Sequence, residues 1–175
     1  MMAINHCLVF VVFIFHFLTT VPGSAVSSSI LRNQKQNWGP QFAIDGVWSS
    51  ERHESFASKK EDFPWLQWHL PVKRNLSGVR VSFSNVGETK KSSKTFIIRI
   101  ANDPVLFKKN RLLVKNEVCG KLIVDFPADD RKVYTIMCQN TLLAEYVTIQ
   151  SVEKSMTLGI NELETISAHD GNLYF

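Results

Sequence analysis

The chain has 175 residues, of which 45% are hydrophobic and 21% charged, the proportions of one globular domain and too few for two comfortable ones. Its 20 basic and 16 acidic residues leave a net charge of +4 with no long basic block, and no recognition module accompanies them, so a dedicated nucleic-acid binder is excluded. Catalytic signatures are missing as well: there is no Gly-x-Ser-x-Gly, His-Glu-x-x-His or P-loop, and the adjacent Asp129-Asp130 reads as a solvated turn rather than two carboxylates facing across a cleft.

Cys7 to Leu18 is an apolar run broken only by His16, followed by Thr19-Thr20 and the small residues Gly23 and Ala25. A membrane-spanning helix needs about 20 apolar residues. The run is too short for that and has the pattern of a signal-peptide core, with cleavage expected after Ala25 or nearby. The usual basic flank is missing, and a signal anchor is the alternative. Residues 1–25 are thus read as a leader, 26–166 as the folded domain and 167–175 as a tail, and the protein as secreted. Once Cys7 leaves with the leader, Cys119 and Cys138 remain as one pair. Closing a loop of roughly 20 residues stabilises a fold by about 3 kcal/mol in the chain-entropy model. A metal site on two cysteines lacks further soft ligands at suitable spacing.

Val26 to Gln36 is polar and serine-rich, an extended lead-in. Gln41-Phe42-Ala43-Ile44 is apolar and closes on the turn signal Asp45-Gly46. Trp48 to Asp62 reads as a long surface loop, of the kind that often carries function. The next stretch, Pro64-Trp65-Leu66-Gln67-Trp68-His69-Leu70, is a strand with Leu66, Trp68 and Leu70 on one side and Trp65, Gln67 and His69 on the other. A tryptophan buries on the order of 200 Å², so this is a core element. Asn75-Leu76-Ser77 is an N-glycosylation sequon placed on a loop between strands. Gly78 to Ser84 alternates, with Val79, Val81 and Phe83 inward and Arg80, Ser82 and Ser84 outward; Asn85 to Lys94 is a lysine-rich loop. Thr95 to Ala101 is a strand broken by Asn102-Asp103-Pro104. Arg111 to Lys115, Lys121 to Asp125, Val133 to Cys138 and Glu145 to Val152 are further strands. Ile160 to Ile166 closes the domain, and a parity break between Ile160 and Leu163 predicts a bulge. Many short strands separated by turn residues predict an all-β sandwich or jelly roll.

Several of these stretches, in order, carry a resemblance. Ala43-Ile44-Asp45-Gly46, Pro64 to Leu70, Val79 to Asn85 and Ile98 to Asn102 resemble the discoidin-like (coagulation factor type C) superfamily. Cys119-Gly120, the lone Cys138, Glu145-Tyr146-Val147-Thr148-Ile149 and Leu158 to Thr165 are similar to the F-type lectins, or fucolectins. The likeness covers roughly residues 30–166. It implies a galactose-binding-domain-like jelly roll of about eight strands, which binds L-fucose on glycans beside a structural calcium.

Calcium takes oxygen ligands, commonly carboxylates and backbone carbonyls. By position the resemblance assigns it the carboxylates of Asp45 and Glu162, the carbonyls of Phe42, Val47 and Asn161, and, more loosely, Ser50. Taken singly, Asp45 also reads as an Asx-turn residue before Gly46, and Glu162 as an exposed strand carboxylate. The sugar signature is a histidine followed, about two dozen residues on, by an arginine-aspartate-arginine set. Here His53 stands for the histidine, Val86 follows Asn85 where the first arginine belongs, Glu88 replaces the aspartate, and Lys90, Lys91 and Lys94 surround the place of the second arginine. Lysine is a flexible point charge, without the planar fork of arginine. The expectation is a loop that binds a ligand, but not fucose in the family's manner; a merely solvated lysine loop is the plainer alternative. Two more departures are His69, where the family has an aspartate, and Asn161, where it has a cysteine.

The functional expectation is a non-enzymatic, secreted, lectin-like protein whose partners are glycans or glycoproteins. The alternative is a discoidin-type module docking on a membrane surface or a protein, in which Trp38, Trp48 and Phe56 would cluster as exposed spikes.

Overall fold

The structure is a computed structural model that describes residues 23–48, 55–86, 90–104, 116–129 and 131–168. The expected leader core, the Arg111 to Lys115 strand and the tail from 169 on lie outside the described residues.

Seven antiparallel strands are described: β1 Ser24–Ser27, β2 Phe56–Ala57, β3 Trp65–Phe83, β4 Ser92–Ala101, β5 Glu117–Phe126, β6 Val133–Ser151 and β7 Gly159–Ser167. They form one continuous sheet in the order β2-β7-β3-β6-β4-β5, with β1 alongside β3. The sheet folds back on itself because β3 and β6 are long enough to belong to both halves. Their mutual register slips between His69 and Arg74, where the pair turns a corner. The first part of β3 pairs β1 and the last part of β6, which in turn pairs β4. Its second part pairs β7 and the first part of β6. The result is an all-β sandwich.

The apolar core fills the space between the halves. Leu66, Leu70, Phe96, Ile98, Val147 and Ile149 face Leu76, Val79, Val81, Phe83, Ile160 and Leu163, all buried. Phe83 and Phe96 meet with ring centroids 4.5 Å apart. The alternation assigned to the opening strand is observed, with Leu66 and Leu70 buried and Trp68 packed against the same core. The bulge in the last strand is present too: Ser82 pairs Glu162 but Phe83 pairs Ile160, so Asn161 is the extra residue.

Four readings need correction. The sequon Asn75-Leu76-Ser77 sits inside β3, not on a loop, because Asn75 and Leu76 pair Leu143 and Leu142 around the corner; the Asn75 side chain is nevertheless exposed. Residues 26–36 are not all extended lead-in: β1 is followed by a turn at Leu31–Asn33 and by α1, Lys35–Trp38. Ser24 and Ala25, at the end of the expected leader, pair His69 and Trp68. Part of the expected Trp48 to Asp62 surface loop is interior, since Ser55 to Ser58 are buried and β2 adds to β7, while Lys59 and Lys60 are exposed. That segment, together with a 3-10 turn at Pro40–Ala43, covers a sheet face, which is why Ser82 and Ser84, expected outward, are buried.

The predicted Cys119–Cys138 disulfide is formed. It joins β5 to β6 at the edge where the two halves approach. A side chain on Gly120 would stand 2.4 Å from Ile136 Cγ2, so the Cys-Gly pair combines the link with the absence of a Cβ that this approach requires.

Candidate functional site

The ladders bring one set of strand ends together. Ser92 pairs Phe126, Ser82 pairs Val133 and Phe83 pairs Ile160. The β3–β4, β5–β6 and β6–β7 connections therefore emerge at the same end of the sandwich. The stem of the segment before β2 joins them there: Ser55 Oγ donates to Ser84 Oγ at 3.4 Å, both buried.

An acidic pair lies at this end. Pro40 opens the 3-10 turn, for which its fixed φ is suited, and buried Ala43 and Ile44 pin the turn to the core. The chain then reverses through Gly46 at φ +82°, a conformation costly for residues with a Cβ. Asp45 Oδ1 accepts from the Val47 amide at 2.9 Å, so the Asx-turn reading of Asp45 holds. The same reversal aims the Gly46 amide at Glu162 Oε2, 3.0 Å away. Glu162 is only 3% exposed, so the reading of it as an exposed strand carboxylate fails: the bulge and the covering turn bury it. Its carboxyl stands within hydrogen-bonding reach of Asp45, and burial, then the negative charge of Asp45, push its pKa up to about 8.

Two carboxylates that meet, one of them buried, are the donor set a divalent cation would relieve. Among the described residues no group of three or more His, Cys, Asp or Glu could hold a metal. A cation here would complete its shell with backbone carbonyls and water, which suits calcium rather than zinc. Phe42, Val47 and Asn161 lie on the same two segments as Asp45 and Glu162. The Asn161 side chain is turned into the sheet, donating to Ser82 Oγ at 3.4 Å and Phe83 O at 3.2 Å. Ser50 lies outside the described residues.

A cationic surface lies on the neighbouring connections. Lys90 and Lys91 are exposed just before β4, and Lys94 is half-buried on it. His53 and Glu88 lie outside the described residues. Asn85 is engaged in structure: its amide nitrogen donates to Ala128 O and its oxygen accepts from Ala128 N, clamping the β3–β4 and β5–β6 connections together. That clamp brings in two cations the sequence reading missed, Arg131 and Lys132. Lys132 lies over the Tyr134 ring at 4.7 Å. The signal was weak, because residues some forty positions apart meet only when the ladder forms.

Other residues are settled by position. Arg80 pairs Glu164 at 3.1 Å on an exposed sheet face and takes no part in the loop end. His69 stacks on Tyr146 with ring centroids 4.6 Å apart and bonds Glu145 at 3.2 Å, a cross-strand contact at the sheet corner. The expected spikes do not form: Trp38 and Phe56 are buried, leaving only Trp48 of the three exposed, so the membrane-docking alternative loses its motivating feature. Among the described residues no helix is long and apolar enough to cross a membrane.

No protein-family profile matches the sequence, and no curated protein matches it. Solved structures do share the fold. A fucolectin from the serum of striped bass (Morone saxatilis) superposes with a TM-score of 0.64 at 19% identity, over 83% of this chain and 47% of that one. The chain thus spans about half the length of that fucolectin. The lectin domain of lectinolysin, complexed with Lewis B antigen, gives 0.61 at 17% identity, covering 83% of this chain and 93% of that one. The CBM32 module of AlyQ, in complex with 4,5-unsaturated mannuronic acid, gives 0.58 at 14%, covering 85% and 97%. The fold is therefore the β-sandwich that these lectin domains and carbohydrate-binding modules share.

Proposed function

We propose that this protein is a secreted, lectin-like protein that binds glycans through the loop end of its sandwich, beside a structural calcium. The convergence of Asp45 and buried Glu162 at that end carries the reading, because it is the donor set that the lectin resemblance assigns to the ion. The carbohydrate complexes of its structural neighbours support it. The apolar leader and the disulfide support secretion.

Asp45 and Glu162 would hold the calcium, with the carbonyls of Phe42, Val47 and Asn161 and the hydroxyl of Ser50 completing it. The ion would supply charge compensation, letting Glu162 stay ionised and fixing the reversal at Gly46. The bond between Ser55 and Ser84 ties the stem of the segment before β2 to the β3–β4 connection that carries Lys90 and Lys91. Since the arginine fork is missing, fucose is not expected to be bound in the family's manner.

A glycan array probed with the mature chain, in calcium and in chelator, tests this. Binding to a set of glycans that weakens in chelator is expected. Absence of binding to any glycan sinks the proposal, and tight fucose binding lost in His53→Ala sinks the part concerning specificity.

A further inference from the structure

We infer that the loop end is built for an acidic saccharide, one carrying carboxylate or sulfate groups, and that Arg131 and Lys132 share its recognition with Lys90 and Lys91. This rests on the glycan-binding reading above and names the chemical class of ligand.

Two connections supply the charge. Lys90 and Lys91 precede β4, whose first residue Ser92 pairs Phe126. Arg131 and Lys132 follow that same neighbour, β5, on the β5–β6 connection. The reciprocal Asn85–Ala128 bonds fix one connection against the other. All four side chains are exposed. The described carboxylates nearby are turned to other tasks: Asp125 Oδ1 accepts from Ser93 Oγ at 2.6 Å, and Asp129 Oδ1 accepts from the Arg131 amide at 3.0 Å within its own turn. The two ion pairs among the described residues, His69–Glu145 and Arg80–Glu164, use none of these cations.

The two connections run between the two halves of the sandwich, and packed sheets lie about 10 Å apart. That spacing suits successive charged groups on a saccharide better than one compact anion. Arg131 can grip a carboxylate or sulfate with two parallel bonds, while lysines contribute point charges. Lys132 is held over Tyr134, which limits its freedom before any ligand arrives. A lipid surface is disfavoured because the aromatic residues that would insert are buried, apart from Trp48.

The test uses the full mature chain and three polymers: heparin, polygalacturonate, and polygalacturonate with its carboxylates methyl-esterified. Expected is binding of the first two and not the ester, weakening as salt rises. Lys90→Gln/Lys91→Gln and Arg131→Gln/Lys132→Gln should each weaken binding by about tenfold, whereas Lys73→Gln/Lys121→Gln should not. Equal binding of the ester overturns this inference and leaves the glycan reading standing. Binding to no saccharide overturns both. Equal affinity for single-stranded DNA or phosphatidylserine vesicles also overturns it, reducing the surface to charge alone.

Discussion

The same end of the sandwich holds two polar regions of opposite sign. At the Gly46 reversal, two carboxylates converge and one is buried. On the β3–β4 and β5–β6 connections, lysines and an arginine stand in solvent without described ion-pair partners. The first region is built into the fold, since turn, bulge and core all bear on it. The second is built onto the fold: its charged side chains are exposed, and it is tied down by the Asn85 clamp, the turn at Asp129 and the contact of Lys132 with Tyr134. Charge in the first should therefore govern stability, and charge in the second only binding.

The largest expected effect is on the acidic pair. Calcium at a hundred times its dissociation constant should stabilise the chain by about 2.7 kcal/mol, a rise of roughly 5–10 °C in melting temperature for a domain of this size. Glu162→Gln should abolish the calcium response, as read by thermal melts; an unchanged response would break the comparison. The disulfide serves as a yardstick, for Cys119→Ser/Cys138→Ser should cost about 3 kcal/mol by denaturant unfolding.

In chelator the pH dependence has a definite sign. The Glu162 pKa is raised from 4.5 to about 8, so between those values the folded chain holds a proton that the unfolded chain has lost. Stability from this site should be fully present below about pH 4.5 and be lost as pH rises through 8. Glu162→Gln should flatten that slope in urea titrations run across the window. Calcium competes with the proton, so its affinity should weaken as pH falls below 8.

Smaller changes belong to the cationic side. Asn85→Ala removes the clamp and leaves Ala128 groups unpaired, which should cost about 1–2 kcal/mol in unfolding experiments. Lys90→Gln/Lys91→Gln should shift stability by less than about 0.5 kcal/mol while altering ligand binding. A large loss of stability there would show that the lysines belong to the fold after all.

Much of this was legible in the residues. Alternation placed Leu66, Trp68, Leu70, Val79, Val81 and Phe83 toward the core, and the parity break at Ile160 to Leu163 located the bulge. Boundaries were less legible around the corner. Asn75-Leu76-Ser77 has the polar composition of a loop, yet long-range pairing to β6 carries the strand straight through it. Residues 55–58 look like loop by composition and are buried because β7 offers an edge to pair with. His69 had no local explanation, since Tyr146 and Glu145 lie some seventy-five positions away.

Period-two hydrophobicity and a string of turn residues were enough for the all-β class, the count of cysteines left Cys119 and Cys138 as the pair, and an ordered set of short motifs carried the resemblance to F-type lectins, because these depend on local sterics and on residue chemistry. Which carboxylates meet, which serines are buried and which cations share a surface were decided by the tertiary structure. Those depend on ladder register, on the corner in β3 and β6, and on a turn folding over a sheet face, and each is set by contacts between residues far apart in the chain.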